Sequence, residues 1–408
     1  MAELNVGAAK VDITPVASCW MEGYASRKEH GPMSTGVYDR LHARALVAEG
    51  EGGKVAVVSC DLCVLDPDTI NDVRRLVGDP LGMPPEHVMV FTTHTHAGPV
   101  TSYPHQGGAP KTNLEWLDGL AHKIAEAILL ANVRLEPAKV GVVRGTSHIA
   151  MNRQQSHEDG SVTLGQAPEK PTDTEVIGMV VDAPEGKPIA RVVNYGCHNT
   201  ALGPKNTLIS GDYAGRSMTA LEEQIGKGVV CLFVNGGSGN IDPFHRVLDD
   251  AVDPRVQEVA DVFTRDVLKA LAEETTFKAD AHVAGVFHDL ALPRKVSGVE
   301  AGLGRLKCIR AQALRIGDVV FLGSPNEIVC EIVMNIKKQS PVEDTLVGGY
   351  CYNAIGPWHP HRDGVGGYLP AASHYEHGGY EVASTPYAPE AETVYTRGMV
   401  ELAAMVAP

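Results

Sequence analysis

Short runs of β-branched and apolar residues recur along the chain, and between several of them the apolar spacing shifts to every third or fourth position. The continuous runs at 44–47, 54–58, 88–91, 139–143, 176–181, 190–193, 229–234, 281–287 and 311–322 read as buried strands. Residues 113–132 carry Trp116, Leu117, Leu120, Ile124, Ala127, Ile128 and Ala131 on one face, the signature of an amphipathic helix. Helices are also expected over 68–77, 213–224, 254–273 and 327–338. Strands alternating with helices predict the α/β class, a mixed β-sheet core flanked by helices, with adjacent strands near 281–322 adding an antiparallel part. No Pro/Gly/Ser linker divides the chain, so residues 1–408 read as a single domain. Residues 348–389, rich in Gly, Pro, His and Tyr, break the pattern; a long irregular segment inside a compact chain is usually functional.

Four of the apolar runs end abruptly in polar residues. The run at 88–91 leads into Thr93-His94-Thr95-His96, that at 190–193 into Asn194-Tyr195-Gly196-Cys197-His198, that at 229–234 into Asn235-Gly236-Gly237-Ser238-Gly239-Asn240, and that at 319–322 into Gly323-Ser324-Pro325-Asn326-Glu327. In open α/β sheets ligands sit beyond the carboxyl ends of the strands. Three histidines, a serine and a glutamate are therefore expected to converge on one cleft, a metallohydrolase pattern.

Bulk properties narrow the field. A formal charge of −15 argues against a nucleic-acid footprint or a polybasic membrane surface. No stretch is long and apolar enough to insert in a membrane, and the amino terminus has neither the basic nor the apolar region of a signal peptide, so a cytoplasmic location is expected. The eight cysteines are scattered through a core-forming chain, which suits free thiols in a reducing compartment. Cys60 and Cys63 form a C-x-x-C without a second pair, and are expected to be structural.

His94 and His96 alternate with threonines; on an extended segment both would face the same side and reach one ion or one substrate. An isolated H-x-H is often a pair of solvated loop histidines, but here the other strand ends supply further ligands. Neutral imidazole suits Zn²⁺, and a carboxylate such as Glu327 completes the donor set. Ser238 lies in a glycine-rich turn that fails the G-x-S-x-G elbow at its last position, so it is expected to line the site as a hydroxyl rather than attack. Asp61 and Asp212 fall at loop or helix starts, and Asp212 reads equally as a helix N-cap or a site residue. His359 and His361 form a second H-x-H, read as solvated or pocket-lining. His374 and His377 are placed to shape the pocket.

These blocks resemble the catalytic domain of the neutral/alkaline non-lysosomal ceramidase family, zinc amidohydrolases that cleave an N-acyl bond. Val11-Asp12-Ile13-Thr14-Pro15, Met21-Glu22-Gly23-Tyr24 and Asp39-Arg40-Leu41-His42-Ala43-Arg44-Ala45 are similar to its amino-terminal motifs. Thr93 to Pro99 resembles its His-Thr-His-Ser-Gly-Pro apart from Ala97, and Asn152-Arg153 matches an Asn-Arg pair that contacts substrate. Cys197-His198-Asn199-Thr200, the 235–240 loop and Pro325-Asn326-Glu327 follow in the family's order. Tyr368 and Tyr380-Glu381 with Ala383-Ser384-Thr385 complete it. The resemblance implies zinc held by His94, His198, Glu327 and Tyr368. It implies His96 and Tyr380 acting on the substrate carbonyl, with Arg153 as an anchor.

Departures from the family pattern set further expectations. The protein is expected to lack the family's carboxy-terminal immunoglobulin-like domain and its secretion signal. Ala97, Val100, Gly237 and Asn240 differ from the family's residues and are expected to lie near substrate. The expectation is hydrolysis of a small or polar N-acyl amide, with ceramide a poor substrate. Two alternatives share the metal: an ester or lactone hydrolase, and a non-catalytic zinc-dependent binding protein.

Overall fold

The structure, a computed structural model, describes residues 3–27, 33–101, 114–244, 255–278, 280–295, 305–353 and 366–408. His359 and His361 lie outside the described residues. The fold is α/β with mixed sheets, as expected. A first five-stranded sheet runs in the order Val88–Thr92, Gly53–Cys60, His42–Gly50, Asn5–Asp12, Glu136–Pro137. A second runs Val230–Asn235, Pro188–Tyr195, Glu175–Asp182, Lys139–Thr146, Thr276–Lys278. A third, four-stranded, runs Val283–Pro293, Leu306–Ile316, Val319–Gly323, Thr345–Gly348.

Each sheet combines antiparallel strands with one parallel pair, and each parallel pair is joined through a helix. Gly53–Cys60 crosses through helix Pro67–Leu81 to Val88–Thr92, Pro188–Tyr195 through Asp212–Ile225 to Val230–Asn235, and Val319–Gly323 through Cys330–Gln339 to Thr345–Gly348. Parallel neighbours require such a crossover, and it leaves both strands' carboxyl ends at the same edge. Three such units supply most of the candidate site.

The core explains why the runs are continuous rather than alternating. Val6, Leu46, Val57 and Phe91 of the first sheet pack in one buried cluster with Met179, Val192, Leu232 and Val234 of the second and Leu314 and Phe321 of the third. On their other faces the sheets meet helices: Ile70 and Val73, Leu120 and Ile124, Met218 and Leu221, Val259 and Phe263 share a second cluster with Ala45, Val58 and Val193. Strands covered on both faces carry apolar side chains on both. Burying one large apolar side chain contributes roughly 1.5–3 kcal/mol.

Several elements depart from the sequence expectation. The run at 311–322 is two strands, joined at Gly317, whose φ of 58° makes the tight turn between Ile316 and its partner Val319. Asn5–Asp12, interior to the first sheet, and the carboxy-terminal helix Ala391–Val406 have no counterpart in the expected elements; Gly7, Ala8 and Ala9 dilute the β-branched signal of the strand. The first helix starts earlier than its aspartate suggested, capped by Asp66, whose carboxylate accepts from Asp68 N at 2.9 Å. All eight cysteines are free. Among the described residues no helix is long and apolar enough to cross a membrane.

A buried charge cluster fastens the first sheet to helix Asp212–Ile225. Arg44 Nη1 donates to Asp61 Oδ2 at 2.6 Å, and its Nε faces Glu222 Oε1 at 3.4 Å; Lys10 Nζ reaches Glu222 Oε2 at 2.5 Å. Asp61 thus belongs to this cluster, where it also accepts from His42 N at 3.0 Å. Removing one partner of a buried pair strands the other charge. Arg44→Met is expected to lower unfolding free energy by about 3–5 kcal/mol in urea titrations. His42 is pushed down to about 4 by burial and by the charges of Arg44 and Lys10. Its folded value lies below the unfolded value of about 6.5, so the folded state binds fewer protons, and stability is lost as pH falls between those values. His42→Gln should make the loss over that window shallower, by at most about 1.4 kcal/mol per pH unit. An unchanged slope in urea titrations at pH 4.5–6.5, a range chosen to span roughly this window, would count against a neutral buried His42.

Candidate metal centre

The three crossover units bring His94, His198 and Glu327 together, with one ligand atom from each lying within 4.8 Å of the others. His94 follows strand Val88–Thr92, His198 follows Pro188–Tyr195, and Glu327 sits in the short strand Asn326–Ile328 beyond Val319–Gly323. Glu327 Oε2 lies 3.6 Å from His94 Nε2 and 3.4 Å from His198 Nε2. His198 Nε2 and Glu327 Oε2 are buried, and neither makes a hydrogen bond. Buried polar atoms without partners are rare, and a convergent group of them calls for an unseen ion or water.

The other imidazole nitrogens explain the orientation. His94 Nδ1 donates to Cys63 O at 2.9 Å and His198 Nδ1 to Ser238 O at 2.6 Å. Each backbone carbonyl fixes the tautomer, so the Nε2 lone pairs face Glu327, as in metal-ligating histidines. Burial pushes His94 down to about 4, against the pull of Glu327, so it is neutral at pH 7. Burial pushes the Glu327 carboxyl up, but His94, His198 and Arg153 outweigh it and hold it down to about 2. Two imidazoles and one carboxylate fit a borderline divalent cation. Glu327 keeps 22% side-chain exposure, so the group opens on one side.

His96 approaches on that group, its Nε2 3.1 Å from His94 Nε2. The convergence does not arise from an extended segment, as the alternation suggested. His94 has a φ of 64°, and Thr95 pairs across to Asn199. A Cβ added at Gly23 would lie 2.4 Å from His96 Cγ, so the ring rests on bare backbone there. Cys63, His94 and His96 also lie close enough to form a second donor group. Burial raises the Cys63 thiol well above its ordinary value, and His94 Nδ1 is committed to a carbonyl, so His94, His198 and Glu327 form the better set.

Tyr368 pairs in parallel register with Glu327, which puts the two side chains on one face of the ribbon. Burial raises the Tyr368 phenol well above its ordinary value, against the pull of Arg153. Tyr380 opens helix Tyr380–Ser384, is 40% exposed, and its ring centroid lies 5.5 Å from that of Tyr368. Arg153 serves the protein rather than an open subsite. Its Nε donates to Glu381 at 2.8 Å, its Nη1 to Asp242 at 3.2 Å, and its Nη2 to Gly239 O at 2.7 Å and Tyr368 Oη at 3.2 Å. The expected substrate anchor is a buried clamp whose nitrogens are all used.

Other expected site residues have settled differently. Ser238 is buried, and its hydroxyl meets Tyr350 Oη at 2.7 Å, so its contribution to the histidines is the carbonyl. Asp212 is not the N-cap, which is Gly211; its carboxylate accepts from the backbone N–H groups of Leu202 at 2.8 Å and Ala201 at 3.1 Å. His374 Nε2 lies 3.3 Å from Glu331, and His377 is exposed. Ala97 and Val100 are buried. Asn240 accepts from Cys330 N at 3.0 Å and donates to Glu331 at 2.9 Å, capping the helix that follows, and a Cβ at Gly237 would meet Cys330 Cα at 2.9 Å. These four positions do packing and capping work instead of facing a substrate. Tyr350 and Cys63 are not among the expected site residues, although each follows a strand end; Cys63 acts through its backbone carbonyl, a role its residue type does not signal.

A fold of three crossover units with a two-histidine, one-carboxylate group at their shared edge defines an α/β scaffold with a candidate metal centre. The chain belongs to the neutral/alkaline non-lysosomal ceramidase family, whose N-terminal region matches residues 4–246. Neutral ceramidase A of Dictyostelium discoideum is 29% identical over 225 residues, 52% of this chain and 30% of that protein. The neutral ceramidase of Mycobacterium tuberculosis is 26% identical over 239 residues, 55% of this chain and 36% of that protein. The matched region thus spans about a third of the length of these relatives. The crystal structure of neutral ceramidase from Pseudomonas aeruginosa superposes with a TM-score of 0.77 at 18% identity, covering 100% of this chain and 76% of that one. At that identity the likeness establishes the fold.

Gly23→Ala would drive a methyl group into the His96 ring from a backbone at φ 105°. Turnover is expected to fall at least about tenfold while bound metal, measured by elemental analysis, is retained. Loss of metal instead would mean that Gly23 supports the whole centre.

Proposed function

We propose that this chain is a zinc-dependent amidohydrolase that cleaves an N-acyl amide bond. The observation that carries the reading is the pair of buried imidazoles with Nδ1 committed to carbonyls and Nε2 turned to an unbonded glutamate oxygen. His94, His198 and Glu327 would hold the ion, with Tyr368 beside Glu327 as the fourth candidate ligand. A bound Zn²⁺ would polarise the acyl carbonyl and lower the pKa of water to near neutrality.

The chain's own residues supply the rest. His96, at the centre, and Tyr380, at its rim, both carry protons they can donate. Between them they offer a hydrogen bond to the developing oxyanion, which contributes about 2.7–4 kcal/mol when well placed, and a proton for the leaving amine. Arg153 acts through others: bonded to Tyr368 and flanked by both tyrosine rings, at 5.7 and 5.8 Å from their centroids, it fixes their relative position. A purely structural ion would be enclosed by its ligands; the exposure on the Glu327 side favours an open catalytic position.

The expectation of a small, polar substrate rested in part on Ala97, Val100, Gly237 and Asn240, and their burial removes that part of its support; the loops at 102–110 and 354–365, which also entered it, lie outside the described residues. The substrate class is therefore an N-acyl amide, with ceramide itself, the substrate in the relatives' names, as the first compound to assay.

Elemental analysis of purified protein is expected to find a single zinc per chain, and chelation to abolish amide hydrolysis until zinc is restored. His198→Ala should lose both metal and activity. His96→Ala should keep the metal and lose about 10²–10⁴ in kcat. Amide hydrolysis that survives chelation and His198→Ala would overturn the proposal; cleavage of matched esters but not amides would move it to ester chemistry.

A further inference from the structure

Tyr350 stands outside every motif that marks the centre, yet its side chain touches the support of both histidines. Its ring stacks on His94, with centroids 4.0 Å apart and planes at 18°. Its hydroxyl meets Ser238 Oγ at 2.7 Å, and the Ser238 carbonyl receives His198 Nδ1. Tyr350 is fully buried and has a φ of 56°, a conformation that a non-glycine residue keeps only where the surroundings enforce it. It follows strand Thr345–Gly348, so it is the contribution of the third crossover unit's second strand, just as His94 and Ser238 are those of the other two.

We infer that Tyr350 is a positioning residue for the metal centre, one side chain that sets the plane of His94 and, through Ser238, the orientation of His198. The ring limits His94 to rotation within the stack. The hydroxyl fixes the Ser238 side chain, and with it the turn whose carbonyl holds the second imidazole. Partners of this kind change metal affinity by about 10- to 100-fold when removed, without being ligands. The inference rests on the proposed metal centre at His94, His198 and Glu327.

The test is zinc affinity, measured by competition with a chromophoric chelator, on wild type, Tyr350→Phe, Tyr350→Leu, Ser238→Ala and the Tyr350→Phe/Ser238→Ala double variant. Tyr350→Phe keeps the stack and loses the hydroxyl; it should weaken zinc about tenfold, and Tyr350→Leu more. Ser238→Ala keeps the carbonyl, so it should match Tyr350→Phe, and the double variant should be no weaker than either single one. The visible spectrum of the cobalt-substituted protein should shift in each, while the melting temperature of metal-free Tyr350→Phe stays near that of wild type. Wild-type zinc affinity and an unchanged cobalt spectrum in Tyr350→Phe and Ser238→Ala would overturn the inference and leave the metal centre standing. Failure of the wild type to bind zinc would overturn the centre and this inference together. Tyr350→Phe carries the test if Tyr350→Leu does not fold.

Discussion

The centre depends on two backbone carbonyls. Cys63 O and Ser238 O each take an imidazole Nδ1–H, and by doing so they decide which nitrogen of His94 and His198 is left with a lone pair and where it points. Both carbonyls sit at carboxyl ends of parallel strands, on the loop opposite the one that bears the histidine. In two of the three parallel pairs one strand carries the imidazole and its neighbour carries the acceptor: Cys63 after Gly53–Cys60 faces His94 after Val88–Thr92, and Ser238 after Val230–Asn235 faces His198 after Pro188–Tyr195. The tautomer is thus a property of strand pairing. A shift of one residue in either register would turn the histidines away from Glu327.

Such a centre needs rigid surroundings, and the chain provides them with costly devices near the site. Positive φ at a residue other than glycine occurs, among the described residues, at His94, Asp212 and Tyr350. Two of these are stacked on each other at the centre, and the third ends the segment after His198 with its carboxylate bound to Leu202 N and Ala201 N. Burial pushes Asp212 up to about 6, against three backbone donors that pull it down. Arg44 and Arg153 play matching parts at two distances from the ligands. Arg44 pins Asp61, two residues before Cys63, and Arg153 pins Glu381 and Asp242 beneath the two tyrosines. A buried ion pair of this kind contributes little net stability, but breaking it is expensive, so its use here is to hold geometry.

The sequence made the strand ends legible because continuous apolar runs that stop at polar residues leave few alternatives in an α/β chain. His94, His198, Glu327 and Ser238 were placed at one edge on that ground alone. Tyr368 was not visible in this way: its strand, Gly367–Leu369, is too short to carry a pattern, and only the family resemblance named it. Asn5–Asp12 was hidden by small residues, and the 311–322 run concealed a turn because Gly317 is flanked by isoleucine and valine strands on both sides. The role of Arg153 was misread for a different reason. Its partners Asp242 and Glu381 lie far away in sequence, and no local signal separates an arginine that meets substrate from one that meets four protein acceptors.

The same distinction governs how the site can be selective. Positions that differ from the family's motifs, Gly237 and Asn240, lie against helix Cys330–Gln339 and cap it, so they change how Glu327's unit is packed rather than what a substrate touches. The first N–H of the helix that starts three residues after Glu327 is held by Asn240 from the second unit. The spacing of the carboxylate and the two imidazoles thus depends on contacts between crossover units. Under the proposed function, selectivity falls to side chains at the open edge, where Tyr380 is exposed.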